Sequence, residues 1–126
     1  MKIRNKKRCA GLFGVIGNNS IIKNLGVVYA DIICRGFTGI IAGINDGIVS
    51  NCYSTGKIIC EELAGGLVGA NNNTIKNCFS ICDIQNNSGK KGHYICGIAA
   101  THSGKIISNS YFIGKLTGVD VCGLAT

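Results

Sequence analysis

The chain has 126 residues, enough for one domain, and only 15% of them are charged. It is rich in Ile, Val, Gly, Asn and Ser, with 19 Gly and no Pro or Trp, a mixture that favours short strands and turns over helices. The formal net charge of +7 is concentrated at the N-terminus, since residues 9–126 carry eight positive and six negative side chains. Nucleic-acid-binding folds carry basic residues along the folded surface, so this distribution argues against nucleic-acid binding.

Residues 1–8 form a basic leader that we predict to be disordered. It holds five of the thirteen positive charges: Lys2, Arg4, Lys6, Lys7 and Arg8. The apolar run that follows, residues 9–17, has nine residues and three Gly. It is too short and too broken for a signal peptide or a membrane span. We therefore expect no membrane insertion, and the chain as given lacks a convincing signal peptide.

From residue 9 onward the chain repeats itself. The segment 66–80 matches the segment 40–54 almost position for position, and looser copies follow the same order of residue types. Copies start near residues 11, 39, 66 and 97, with a partial copy at 123, which gives a period of about 28 residues. A period of this length is typical of solenoid proteins. We therefore assign residues 9–126 to one solenoid domain.

Each copy contains three strand-like segments, around Gly-Leu-Val-Gly, Ile-x-Asn-Cys-Tyr-Ser and Lys-Ile-Ile. The middle segment alternates between β-branched and polar residues, as a strand with one buried face does. Its β-branched positions are Ile22, Val49, Ile75 and Ile107. One coil cannot bury its apolar face, whereas stacked coils can. The sequence therefore predicts an all-β fold, a parallel β-helix or β-solenoid of about four coils, with right-handed crossovers by default.

A recurrent Asn marks one corner of each predicted coil. It occupies positions Asn24, Asn51, Asn77 and Asn109. Stacked amides can hydrogen-bond along the axis of a solenoid, and Asn also tolerates the left-handed backbone bend of a corner. Both interpretations give these residues a structural role, and we expect an amide ladder here.

An aromatic column stands two residues after this Asn. It contains Tyr53, Phe79 and Tyr111. Simple alternation from the corner directs these rings outward, where stacked strands would space them about 5 Å apart. Such a ladder is a candidate binding site for sugar rings or for a protein partner. The alternative is an aromatic stack that packs the corner.

Eight Cys raise the question of disulfides. Cys52 and Cys78 share a column with Leu25 and Ser110, so that column accepts small or apolar side chains. We expect reduced, buried thiols that serve as compact core residues, although stacked positions are close enough for disulfides.

The sequence predicts neither a metal site nor a cofactor. It has no Cys-x-x-Cys pair, and its two His, His93 and His102, fall in polar, turn-like segments that are typical of surface residues.

The recurring motifs resemble the GLUG repeat, which is named for its Gly-Leu-any-Gly signature. The best copies are residues 66–69 (Gly-Leu-Val-Gly) with Asn77 and Cys78, and residues 11–14 (Gly-Leu-Phe-Gly); residues 97–100 depart at the final Gly. The resemblance implies a β-solenoid segment of a larger bacterial cell-surface or secreted protein, as in adhesins and IgA-cleaving metallopeptidases. It carries over no peptidase activity, because His-Glu-x-x-His is absent.

These observations predict a structural or adhesive module, not an enzyme, with a glycan or a host or cell-surface protein as partner. One alternative is self-assembly into a filament through open solenoid ends. Another is a carbohydrate-active β-helix enzyme. The chain has only six carboxylates, and the adjacent Glu61 and Glu62 would point to opposite faces of a strand, which argues against a catalytic pair.

Overall fold

The computed structural model describes residues 1–5 and 9–125. The described residues contain strands and no helix. A long sheet contains β1 (Lys2–Asn5), β5 (Gly26–Cys34), β9 (Tyr53–Cys60), β13 (Phe79–Asn86), β17 (Tyr111–Ile113) and β18 (Leu116–Thr117). A second sheet contains β2 (Cys9–Ala10), β6 (Phe37–Thr38), β10 (Leu63–Gly65), β14 (Tyr94–Cys96) and β19 (Asp120–Cys122).

Two further sheets complete each coil. The third contains β3 (Phe13–Ile16), β7 (Ala42–Asn45), β11 (Val68–Asn71) and β15 (Ala99–His102). The fourth contains β4 (Ile21–Lys23), β8 (Ile48–Ser50), β12 (Thr74–Lys76) and β16 (Ile106–Ser108). Neighbouring strands in every sheet are parallel and come from successive coils. The protein is therefore a parallel β-solenoid of about four coils, as the sequence predicts.

The number of strands in each coil differs from the prediction, because the structure has four sheets where three were expected. The segment Ile-x-Asn-Cys-Tyr-Ser is not one strand: Asn51 has a φ of 52°, which turns the chain between β8 and β9. Beyond this corner β9 runs without a break from Tyr53 to Cys60. Gly56, with a φ of 145°, lies within it against the backbone of Ala30. The extra sheet is formed by the short strands that precede each Gly-Leu start.

The interior is built from ladders of equivalent side chains. The fourth sheet pairs Ile22 with Val49, Val49 with Ile75, and Ile75 with Ile107. Val49 and Ile75 are fully buried, and the outer two pack against the same core. Burying such a side chain contributes about 1.5–3 kcal/mol to folding. The alignment predicted from the sequence is confirmed.

Gly39, at the start of one copy, explains part of the Gly-Leu signature. A Cβ at Gly39 would meet backbone atoms of Leu67 and Val68 in the next coil. Only a residue without a side chain allows the two backbones to approach this closely.

The prediction of a disordered leader is wrong for Lys2–Asn5, which pairs in parallel with residues 31–34 of β5. The Arg4 guanidinium donates to the Asp31 carboxylate at 3.0 Å and to the Asp31 carbonyl oxygen at 3.1 Å. This strand covers an edge of β5 that would otherwise leave its backbone groups unpaired. Residues 6–8 of the predicted leader lie outside the described residues. Within the described part of the chain, no helix is able to cross a membrane.

Candidate functional site

The aromatic column lies on the outer face of the long sheet. Tyr53, Phe79 and Tyr111 occupy equivalent positions on successive strands. The ring centroids of Tyr53 and Phe79 are 5.1 Å apart with planes 7° apart, and those of Phe79 and Tyr111 are 5.1 Å apart with planes 5° apart. The next residues in β9 and β13, Ser54 and Ser80, face inward and are fully buried. The rings therefore project outward.

The stacking covers the faces of the inner rings. Phe79 has a ring on either side of it, and the Tyr53 ring lies over Gly26, where a Cβ would collide with it. A sugar therefore cannot stack face-on at these two rings without separating the ladder. The ring edges and the tyrosine hydroxyls remain available to a partner.

Aliphatic side chains extend the aromatic column sideways. Ile81 and Ile113 are register partners two residues further along the strands and project from the same outer face. Ile113 is 57% exposed. We call the group formed by Tyr29, Tyr53, Phe79, Ile81, Tyr111 and Ile113 the apolar strip.

Tyr29 joins the strip through a β-bulge. The register between β5 and β9 shifts between Val27 and Ala30, and Tyr29 adopts a φ of 55°. Its backbone N–H donates to the Thr55 hydroxyl at 3.0 Å, and the residue is 85% exposed. A β-bulge redirects a side chain, and an exposed Tyr in a left-handed backbone conformation is uncommon. Tyr29 was not predicted as a site residue because its exposure depends on a bulge that β9 and β13 lack.

A column of alternating charge borders the strip. Its members are Lys2, Asp31, Lys57, Asp83 and Lys115. Opposite charges on neighbouring strands attract each other, and the Lys115 backbone N–H also donates to the Asp83 carboxylate at 3.0 Å. The hydrogen bond from Arg4, followed by the charges of Arg4, Lys57 and Lys2, lowers the pKa of Asp31 below 3.8. In the sequence, Lys57, Asp83 and Lys115 each stand four residues after the aromatic position of their copy, and this fixed spacing is the signal of the column.

The corner asparagines adopt the left-handed backbone conformation that the sequence predicts. Their side chains do not form the predicted amide ladder. Their φ values are 57° at Asn24, 52° at Asn51, 54° at Asn77 and 47° at Asn109. The corners are joined by backbone hydrogen bonds, such as the one from the Asn51 N–H to the Lys76 carbonyl at 3.1 Å. All four side chains point to solvent. They serve as left-handed corner residues.

The amide ladder lies in the third sheet. The Asn45 side-chain N–H donates to the Asn71 side-chain oxygen at 2.9 Å, and the Asn71 amide is 3.1 Å from His102 Nδ1. Asn45 and Asn71 are fully buried. His102 is therefore a half-buried member of a polar ladder, which corrects its assignment as a surface residue. Equivalent spacing of Asn45 and Asn71 in their copies was the available signal.

The prediction that the cysteines are reduced, buried thiols is confirmed for Cys52 and Cys78 but not for every cysteine. Cys52 and Cys78 are buried in the core, each about 1% exposed. Hydrogen bonding with Cys52 and burial raise the pKa of Cys78. Cys96 and Cys122, however, form a disulfide, because parallel pairing holds their Cα atoms 4.7 Å apart. The expectation that all thiols are reduced is wrong for this pair.

A polar cavity of about 300 Å³ lies at the corner after the long sheet, lined in part by Glu61, Glu62 and His93. The His93 Nδ1 is 3.1 Å from the Ser88 hydroxyl, which donates to the Asn86 side-chain oxygen at 2.7 Å. The Ser88 hydroxyl has one proton, which it donates to Asn86. His93 is therefore not placed to act as a general base toward Ser88. Among residues 1–5 and 9–125, no group of three or more His, Cys, Asp or Glu is placed to hold a metal ion.

Comparisons of the whole chain with protein-family profiles, curated proteins and solved structures find no match.

Proposed function

We propose that this chain is a non-catalytic structural and adhesive module, a rod segment that binds a partner through the outer face of its long sheet. The apolar strip is the observation that carries this proposal. Exposed apolar residues are common singly, whereas a contiguous group on a flat face is typical of an interaction site. The alternating charges beside it supply a polar border, as in protein interfaces.

A protein is the partner that these contacts favour. Tyrosines contribute large, rigid contact area through ring edges and hydroxyls, and they are enriched in protein interfaces. Recognition of a glycan by ring stacking requires uncovered ring faces, and those of Tyr53 and Phe79 are covered. We therefore rank a host or cell-surface protein above a glycan.

The disulfide between Cys96 and Cys122 supports a cell-surface or secreted location, because disulfides persist in oxidising compartments. The resemblance of residues 66–69 to the GLUG repeat supports the same context in a bacterial protein. Within that context the chain would act as one part of a larger molecule.

The test compares two exposed isoleucines on different sheets. Ile113, in the strip, and Ile106, on the fourth sheet, are 57% and 50% exposed. The wild-type chain, Ile113→Ser and Ile106→Ser are applied to immobilised cell-surface proteins and to a glycan array. We expect saturable binding to protein that Ile113→Ser weakens at least about tenfold, a loss of about 1.4 kcal/mol, while Ile106→Ser binds as wild type. Equal binding by both variants would remove the strip as the site, and binding only to glycans would replace the proposed partner.

A further inference from the structure

The column of alternating charge is complementary to its own reverse. Along the solenoid axis it reads Lys2, Asp31, Lys57, Asp83 and Lys115. Lys57 and Asp83, at its centre, are exposed. Because the signs alternate, the attraction to a single distant charge largely cancels, and a partner must carry charges at the same spacing to match each member. Neighbouring strands set this spacing at about 4.8 Å.

We propose that the outer face of the long sheet binds a second copy of this chain, face to face and with the two solenoid axes antiparallel. The inference rests on the proposed function and names its partner, because the cell-surface protein that the apolar strip binds is then the same protein. A two-fold axis parallel to the strands, placed between β9 and β13, relates the two copies. It sets each column opposite the same column of the second copy and reverses the order of the coils.

This arrangement places opposite charges against each other. Lys57 faces Asp83 of the second copy, Asp31 faces Lys115 of the second copy, and each contact occurs twice because the interface is symmetric. Displacing the second copy by one coil, about 4.8 Å, would set lysine against lysine and aspartate against aspartate. Like charges placed directly opposite each other disfavour association. The alternation therefore excludes the neighbouring registers.

The same register covers the apolar strip. Tyr53 lies opposite Phe79 of the second copy, and the strand of Ile113 lies opposite the strand that carries Tyr29. A displacement by two coils would again oppose unlike charges, but it would leave part of the strip without a facing strand. One register therefore satisfies the charges and removes the whole apolar strip from water, which favours association.

The size of the face predicts a weak and reversible dimer. The face spans four strands, β5, β9, β13 and β17, and β9 has eight residues. At about 4.8 Å between strands and about 3.3 Å per residue, it covers about 500 Å² per copy. The total of about 1,000 Å² is at the lower limit of specific interfaces. Antiparallel copies suit rods that extend from two opposing surfaces, where many weak contacts act together.

The test measures self-association of the full chain by sedimentation velocity over a series of concentrations. We expect wild-type dimers that Lys57→Glu and Asp83→Lys each weaken at least about tenfold, because either change sets like charges together next to the two-fold axis. Lys76→Glu is the matched control, since Lys76 is exposed on the fourth sheet and the change in net charge is the same. This control should dimerise as wild type.

An equimolar mixture of the two single variants separates contact between copies from repulsion within one sheet. In the mixed dimer, the new carboxylate at position 57 faces the new ammonium group at position 83, and the unchanged Asp83 faces the unchanged Lys57. We expect the mixture to associate within about threefold of the wild-type affinity, and a chain carrying both changes to dimerise again. Circular dichroism shows that each variant is folded, and folded variants that stay monomeric when mixed would overturn the inference.

The inference and the proposed function fail in different ways. A wild-type chain that is monomeric at about 1 mM, yet binds immobilised cell-surface proteins through Ile113, would overturn the second copy as partner and leave the proposed function intact. Dimers that Lys57→Glu and Asp83→Lys leave unchanged would also overturn the inference, because the contact would then lie elsewhere. A chain that binds neither itself nor other proteins would overturn both.

Discussion

Asn45 donates its side-chain N–H to the side-chain oxygen of Asn71 at 2.9 Å inside the solenoid, where both residues are fully buried. The Asn71 amide in turn donates to the Asn73 carbonyl at 3.1 Å and reaches His102. A polar ladder of this kind stabilises the fold only while its members have partners.

Replacing Asn71 with Leu should therefore destabilise the protein. The substitution leaves a buried side-chain N–H of Asn45 without its partner, which costs about 1–3 kcal/mol. The Asn73 carbonyl loses the bond from Asn71 but keeps the one from the Lys105 N–H at 2.9 Å. Urea unfolding followed by circular dichroism measures this loss. Asn72→Leu is the matched control, because Asn72 makes an exposed bond to Asp46, and it should cost less than about 0.5 kcal/mol. Equal costs for the two variants would mean that the buried ladder does not contribute to stability.

The role of Asn51 as a left-handed corner residue predicts how two substitutions at this position rank in their cost to stability. Asn51 has a φ of 52° and an exposed side chain. Asn51→Ala should cost about 1–2 kcal/mol, because Ala is strained in the left-handed region, whereas Asn51→Gly should be close to neutral. The midpoint of chemical unfolding distinguishes them. If Gly were as costly as Ala, the side-chain amide would be the important group, as an amide ladder at the corner requires.

Two glycines of the repeated motif should respond differently to a methyl group. A Cβ at Gly39 would meet backbone of the next coil, whereas nothing lies within 4 Å of a Cβ at Gly14. Gly39→Ala should lower the free energy of unfolding by about 1–3 kcal/mol through overpacking, and Gly14→Ala should leave it within about 0.5 kcal/mol of wild type. A thermal melt of each variant checks this, and a tolerated Gly39→Ala would contradict the close approach of the coils.

Acid should release the first strand before the rest of the solenoid. Because the pKa of Asp31 is lowered by Arg4 in the folded state, the stabilisation is present above the unfolded value of 3.8 and is lost as pH falls through the folded pKa. Amide hydrogen exchange over residues 2–5 should therefore rise, relative to residues 79–86, as pH decreases below about 4.

The control for this acid effect is Asp31→Asn, which removes the titrating group. Its relative exchange over residues 2–5 should already be raised at neutral pH and should change little with acid. A wild-type ratio that is constant down to pH 2 would show that the ion pair does not hold the strand.

The sequence predicted the features that recur in every coil. The column through Val49 and Ile75 was visible because each copy repeats the same apolar type at the same place. Alternation of apolar and polar residues does not distinguish a strand from a left-handed corner, so the break between β8 and β9 at Asn51 was not predicted. For the same reason the sequence did not show that one strand, β9, continues through Gly56. The Tyr29 bulge occurs in one coil and therefore leaves no repeated pattern. The sequence places Cys96 and Cys122 at equivalent positions, each directly before a copy start, but equivalent positions do not show whether the two thiols are oxidised.

Nuclear Overhauser contacts on a methyl-labelled chain are the most direct test of the stacked coils. The account predicts cross-peaks from the Ile75 methyls to both Val49 and Ile107, its partners on the preceding and following coils. Ile75 contacts confined to residues nearby in sequence, with neither partner detected, would contradict it.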